Sequence, residues 1–293
     1  MATLYTHQAQ NVRKTWLLMT TFFVLIVILG FVFSQVYGNP LILYGFFAFS
    51  VIMNIYAYWN SDKVAIKLSG AVPADPAQFK DLHNIVDNLS ITAGLPKPKL
   101  YIINDPAPNA FATGRDKKHA AVAVTTGLLA TLDRSELEGV IAHELSHIGN
   151  RDILVSTVAV VLAGFVTIVA DIFLRSHIFG RRDSDSKAGG VLMVIGIALA
   201  ILAPIFATLI QLSVSRKREF LADASGALLT RYPEGLANAL RKISQYSAPM
   251  QKHSKATAHL FIANPFGAGK IKSLFSTHPS VEARVQALLG KVN

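Results

Sequence analysis

Four long apolar runs, at about 15–37, 41–59, 153–174 and 189–212, pair into two hairpins with polar text between and after them. Each run is long enough to cross a hydrocarbon core of roughly 30 Å at about 1.5 Å per residue. Only Gly38-Asn39-Pro40 separates the first two, which leaves room for a tight turn and nothing more. Trp16, Tyr37, Tyr44, Tyr58 and Trp59 stand near the ends of these runs, where amphipathic rings settle at headgroup level. Arg13 and Lys14 precede a first run too long for the core of a cleavable leader, so it is expected to be a retained transmembrane helix. Asp171 and Pro204 interrupt the second pair, and buried core helices are the alternative there.

The stretch 60–150 mixes helical and strand periodicity. Asp75-Pro76 has the form of a cap followed by proline in a first helical turn, and predicts a helix to about Thr92. Gly94-Leu95-Pro96 ends it. Lys99–Asn104, Asn109–Thr113 and Ala120–Thr125 are β-branched and aromatic runs that predict three strands, with a turn at Gly114-Arg115-Asp116. Asp133 and Glu136 have capping-box spacing and open a further helix. The organisation expected is a membrane hairpin over 1–60, a polar part over 61–152, a second hairpin over 153–212 and a helical closing part over 213–293. The fold class is α+β, mainly α, with a small sheet.

Composition sharpens this picture. Of 293 residues, 52% are hydrophobic and 16% charged, whereas soluble domains carry about a quarter charged. With no cysteine, disulfides, thiolate metal sites and thiol nucleophiles are excluded. The net charge of +10 suits an anionic surface. The closing part holds 12 Lys and Arg against 4 Asp and Glu but lacks interleaved aromatics or a recognition motif, so the expected partner is the lipid bilayer and not nucleic acid. Arg13, Lys14 and the basic closing part favour the cytoplasmic side. The loop 175–188, with Arg175, Arg181, Arg182 and Lys187, opposes that rule if all four runs cross, so either it is an exception or the second hairpin does not cross. Oligomeric state is not readable.

The chemistry sits in His143-Glu144-Leu145-Ser146-His147, inside the helix that opens at Asp133. Residues four apart share a helix face, so both imidazoles can reach one zinc ion, with Glu144 beside a water as general base. A third ligand is required. Glu219 and Asp223, again four apart, supply one: Glu219 completes the shell while Asp223 orients an imidazole, expected to be that of His143. Both ligand groups must meet at one ion, so a two-pass hairpin, or one that never crosses, lies between them. That would hold the centre just above the headgroups.

HELSHIGNRD at 143–152, SRKREFLADASGA at 215–227, STHPSVEARV at 276–285 and NAFATG at 109–114 resemble the HtpX-type membrane zinc proteases, gluzincins related to the CAAX prenyl proteases. The resemblance covers nearly the whole chain. It implies a gluzincin-like protease domain with one Zn2+, ligands His143, His147 and Glu219, and base Glu144. It also implies substrate-carbonyl or oxyanion roles for His278 and Arg284. Asn109, Ala110, Phe111, Ala112 and Thr113 are similar to an edge strand that pairs with extended substrate, the alternative being an interior strand. Ser280 departs from the second proline of many relatives, and four membrane runs are fewer than in the CAAX prenyl proteases, so a lipid-modified substrate is not implied. The function expected is a peptide-bond-cleaving enzyme of the bacterial inner membrane, its site facing the cytoplasm, acting on misfolded or damaged membrane proteins. A processing protease with one dedicated substrate, and a non-enzymatic scaffold tied together by zinc, are the alternatives.

Overall fold

The computed structural model describes residues 4–162, 216–252, 257–267 and 279–290. The second apolar hairpin lies outside these, apart from 153–162. Helices α1 (Leu4–Tyr37) and α2 (Leu41–Ser69) form the leading hairpin. Both are long and apolar enough to cross a membrane, the spans being Gln8–Gln35 and Leu41–Ser69. They pack through aromatic contacts, with the Phe23 and Phe47 rings and the Phe33 and Phe46 rings each 5.5 Å apart. Their outer faces leave Trp16, Ile28, Phe31, Tyr44, Ile52 and Trp59 exposed. An apolar surface that continuous is stable only against lipid or another protein.

Helix α2 outruns the apolar stretch that was expected to end near Trp59. Its last ten residues turn Ala65 and Ile66 inward, where they pack with Ile103, Phe111, Ala121, Ala123, Met250 and Phe261. An amphipathic face takes over from an all-round apolar one, so the helix continues out of the hairpin onto a sheet. It stops at Gly70, whose left-handed φ of 67° suits a residue without Cβ.

That sheet has four strands in the order β1-β2-β4-β3, with β1 Val72–Pro73, β2 Lys99–Ile103, β3 Ala110–Gly114 and β4 Ala120–Thr125. Strands β2 and β4 run parallel, and the other pairs are antiparallel. Side chains alternate between faces, as a period of two requires. Leu100, Ile102, Ala110, Ala112, Val122 and Val124 join the main core. Ile103, Phe111, Ala121 and Ala123 meet the end of α2.

Helix α3 (Lys80–Ala93) begins later than the Asp75-Pro76 pattern suggests. The Asp75 carboxylate accepts from the N–H of Ala77 and its carbonyl from that of Phe79, which closes a turn ahead of the helix. Leu82, Ile85, Val86 and Leu89 then face the core. Gly114 belongs to β3, and the connection to β4 is a short 3-10 turn at Lys117–His119 capped by Asp116.

After the short α4 (Thr126–Thr131), α5 (Arg134–Gly149) starts with the expected capping box between Asp133 and Glu136. Helix α6 (Asp152–Leu162) leaves it at an angle of 83°. The bend is made at Asn150-Arg151, with Arg151 at a left-handed φ of 58°. Helices α7 (Arg216–Thr230), α8 (Pro233–Gln245) and α9 (Val281–Leu288) complete the described chain, and α7 and α8 pack on α5.

The crossing of α5 and α7 is set by one glycine. A Cβ on Gly226 would stand 3.0 Å from the backbone nitrogen of His143 and 3.2 Å from its Cα. Glu219 is two turns earlier on α7, so this spacing decides where its carboxylate lies relative to the imidazoles. Replacing Gly226 by valine should destabilise the protein by about 1–3 kcal/mol through overpacking, more than the sub-~1 kcal/mol gain in helix propensity. Thermal unfolding and metal titration of Gly226→Val in detergent should both show a loss.

Candidate metal centre

The motif helix α5 runs through the middle of the core, with Val140, Ile141, Ala142 and Leu145 all buried. Burial fixes its rotation, which in turn directs His143 and His147 to the face that meets α7. Their Nε2 atoms lie 3.1 Å apart. From α7, the Glu219 carboxylate approaches to 3.9 Å from Nε2 of His143 and 3.6 Å from Nε2 of His147. One ligand atom from each of the three residues lies within 4.8 Å of the others.

Both imidazoles are held from behind. Nδ1 of His143 is 2.9 Å from Oδ1 of Asp223, and Nδ1 of His147 is 3.0 Å from Oδ2 of Asp152. A carboxylate on Nδ1 keeps the proton there and leaves the Nε2 lone pair to the shared centre. Two such lone pairs 3.1 Å apart repel unless a proton or a cation lies between them. Together with a buried carboxylate oxygen, they form a donor set that fits a divalent transition metal.

The carboxylates have their own supports. Arg284 on α9 is buried and binds Asp223 with two arms, Nε at 2.8 Å and Nη2 at 2.6 Å. Its Nη1 is 3.9 Å from Oε2 of Glu219. Two of the guanidinium nitrogens of Arg284 are thus committed to Asp223, and Nη1 is the arm that faces Glu219. Burial alone would raise the pKa of Asp223, but the hydrogen bonds of Arg284 and His143 outweigh it and hold the carboxyl at about 2. Asp152, at the start of α6, lies against His147.

Glu144 faces the strand side. It is buried, and desolvation raises its pKa, opposed by the two imidazoles and by a hydrogen bond from the Ala112 N–H. Strand β3 is at the sheet's edge, and all five of its residues are buried. Alternate residues point their peptide groups outward: the Ala110 carbonyl accepts from the Ile262 N–H, and the Gly114 N–H donates to Thr157 Oγ1. Asn109 precedes the strand and clamps the distant segment 257–267, its side chain bonding both N–H and carbonyl of Ala263. Phe111 packs edge-on against Phe261, and the Thr113 hydroxyl meets that of Thr157. The remaining expected site residue, His278, lies outside the described residues.

The description of peptidase family M48 matches residues 76–292. The chain belongs to peptidase family M48. Relatives named Protease HtpX homolog match nearly the whole chain and make it HtpX-type. The protein of Caldanaerobacter subterraneus subsp. tengcongensis is 50% identical over 292 residues, 98% of this chain and 97% of the relative. Those of Dictyoglomus thermophilum and Tropheryma whipplei strain Twist are each 45% identical, covering 98% and 97% of this chain and 94% and 97% of theirs. The crystal structure of S. mikatae Ste24p matches 97% of this chain and 67% of that one with a TM-score of 0.52. At 18% identity that likeness shows the fold alone. This M48 peptidase is therefore a membrane protein and a metalloprotease, and its His143, His147 and Glu219 form a group able to hold the metal the family implies.

Two pH effects follow. Burial disfavours protonation of His147, yet the hydrogen bond of Asp152 and the charges of Glu219, Asp152 and Glu144 raise its pKa to about 9. Below that pH a metal must expel this proton, so metal affinity should fall about tenfold per unit from pH 8.5 to 6.5. Competition titrations with a chelating indicator check this, and a flat profile contradicts it. Asp223 is depressed when folded, so its contribution, on the order of 2 kcal/mol, is present above the unfolded carboxyl pKa near 4 and lost as pH falls towards about 2. Thermal melts of metal-free Asp223→Asn should accordingly differ from those of the parent at pH 6 and converge with them near pH 2.

Proposed function

We propose that this M48 peptidase is a zinc endopeptidase that hydrolyses misfolded or damaged membrane proteins at the cytoplasmic face of the bacterial inner membrane. The observation that carries the reading is the meeting of two Nε2 atoms and the Glu219 carboxylate beside the buried Glu144. Nitrogen and oxygen donors in this set, with no thiolate available, suit a catalytic zinc shell with an open position. Zinc there would supply a Lewis acid that acidifies water and polarises a peptide carbonyl.

The chain's own groups do the rest. Glu144 takes the proton of the attacking water and returns it to the leaving amine nitrogen, a task for which a carboxyl raised by burial is suited. Asp223 and Asp152 hold the ring tautomers that keep both Nε2 atoms directed at the metal. Arg284 keeps Asp223 ionised, and its Nη1, on the Glu219 side of the centre, would stabilise charge developing on the carbonyl oxygen, with His278 as its partner in that task. The edge strand formed by Asn109, Ala110, Phe111, Ala112 and Thr113 receives an extended substrate at Ala112, between the Ala110 carbonyl held by Ile262 and the Gly114 N–H held by Thr157. Main-chain pairing reads no sequence, which suits an enzyme acting on many unfolded segments. The lipid surface beside α1 and α2 brings the centre close to proteins of the same bilayer.

The test uses purified protein in detergent with casein and an unfolded membrane protein as substrates. Glu144→Gln should retain one equivalent of zinc and lose on the order of 10²–10⁴-fold in cleavage rate. Cleavage unchanged by this substitution would remove Glu144 from the chemistry, and zinc retention without cleavage by the parent protein would favour a scaffold.

A further inference from the structure

We infer that α1 is a working part of the metal centre and that Asn11 is a positioning residue for His147. This rests on the metal-centre reading above. Asn11 is buried on the helix that otherwise enters the membrane. Its Nδ2 donates to Oδ1 of Asp152 at 2.7 Å and to the carbonyl of Asn150 at 3.1 Å. The other oxygen of Asp152 is the one on Nδ1 of His147, 3.0 Å away. An unbroken chain of hydrogen bonds therefore leads from α1 through one carboxylate to an imidazole whose far nitrogen faces the centre.

The geometry around it explains why a distant helix is used. Helix α5 ends two residues after His147, and the last carbonyls of a helix have no partner within it. The 83° turn into α6 prevents the next helix from covering them. Gln8 and Asn11, three apart and so on one face of α1, supply donors to the Gly149 and Asn150 carbonyls. Asn11 thus ties the end of the motif helix and the start of α6 to each other and sets the rotamer of Asp152. Arg218 stands on the same carboxylate, its Nη1 3.6 Å from Oδ1 of Asp152, too long for a hydrogen bond of its own. The two imidazoles are braced alike: His143 by Asp223 held by Arg284 from α9, and His147 by Asp152 held by Asn11 from α1.

Full-length protein in detergent provides the test, with zinc affinity read by chelator competition, the visible spectrum read on the cobalt-loaded protein, and thermal stability read on the metal-free protein. Asn11→Ala should weaken zinc binding about 10–100-fold and alter the cobalt ligand-field bands, with Asp152→Asn doing the same. Gln8→Ala also removes one bond from α1 to the end of α5 but does not touch Asp152. It should lower the melting temperature comparably while leaving zinc affinity within about threefold of the parent and the cobalt spectrum unchanged. Asn11→Gln, which keeps the amide, should recover part of the affinity. Equal zinc affinity in Asn11→Ala and parent would overturn the inference, as would losses in Asn11→Ala and Gln8→Ala that simply follow their melting temperatures. A parent protein that binds no zinc would instead overturn the metal-centre reading itself.

Discussion

Everything in the site depends on two imidazole Nε2 atoms being held 3.1 Å apart with a carboxylate beside them. Left alone, such lone pairs turn away from each other or take up a proton. They stay because the opposite nitrogens are fixed by Asp223 and Asp152, and because the helix that carries them is locked in rotation by a buried apolar face. The cost of burying two further carboxylates is offset by Arg284 on one and by Asn11 with Arg218 on the other. The fold supplies these supports from five places in the sequence, α1, α5, the start of α6, α7 and α9.

This arrangement gives the membrane hairpin and the protease part a common boundary. Helix α2 leaves the apolar region and becomes a wall of the sheet, while the first turns of α1 close the end of the motif helix. The edge strand is tied to α6 by Thr157 through Thr113 and Gly114. The strand is anchored to the end of α2 and to α6, and the end of the motif helix to α1, so the candidate site and the membrane-facing helices form one packed unit.

Much of the site was readable from spacing. Histidines four apart with a glutamate between them need one helix, and the capping box at Asp133 and Glu136 shows where that helix starts. Glu219 and Asp223 follow the same periodicity on α7. Other features depend on contacts that no local pattern encodes. The pairing of Asn11 with Asp152 spans 141 residues, and a lone asparagine before an apolar run carries no signal. Arg284 is bound on two arms to Asp223 because α9 packs beside α7, a tertiary fact. Helix α3 starts at Lys80 because Asp75 found a turn to cap before it could cap a helix. Helix α2 runs to Ser69 because the sheet offers a face for its amphipathic end, while hydropathy alone marks only the end of the apolar run.

X-ray absorption at the zinc edge of the purified protein measures the coordination shell directly. Two imidazole nitrogens at about 2.0–2.1 Å and light oxygen donors completing a four-coordinate shell are expected, with the imidazole signal lost when His143 and His147 are both replaced. A shell of oxygens alone, or one whose imidazole count is unchanged by that double replacement, would contradict the assignment.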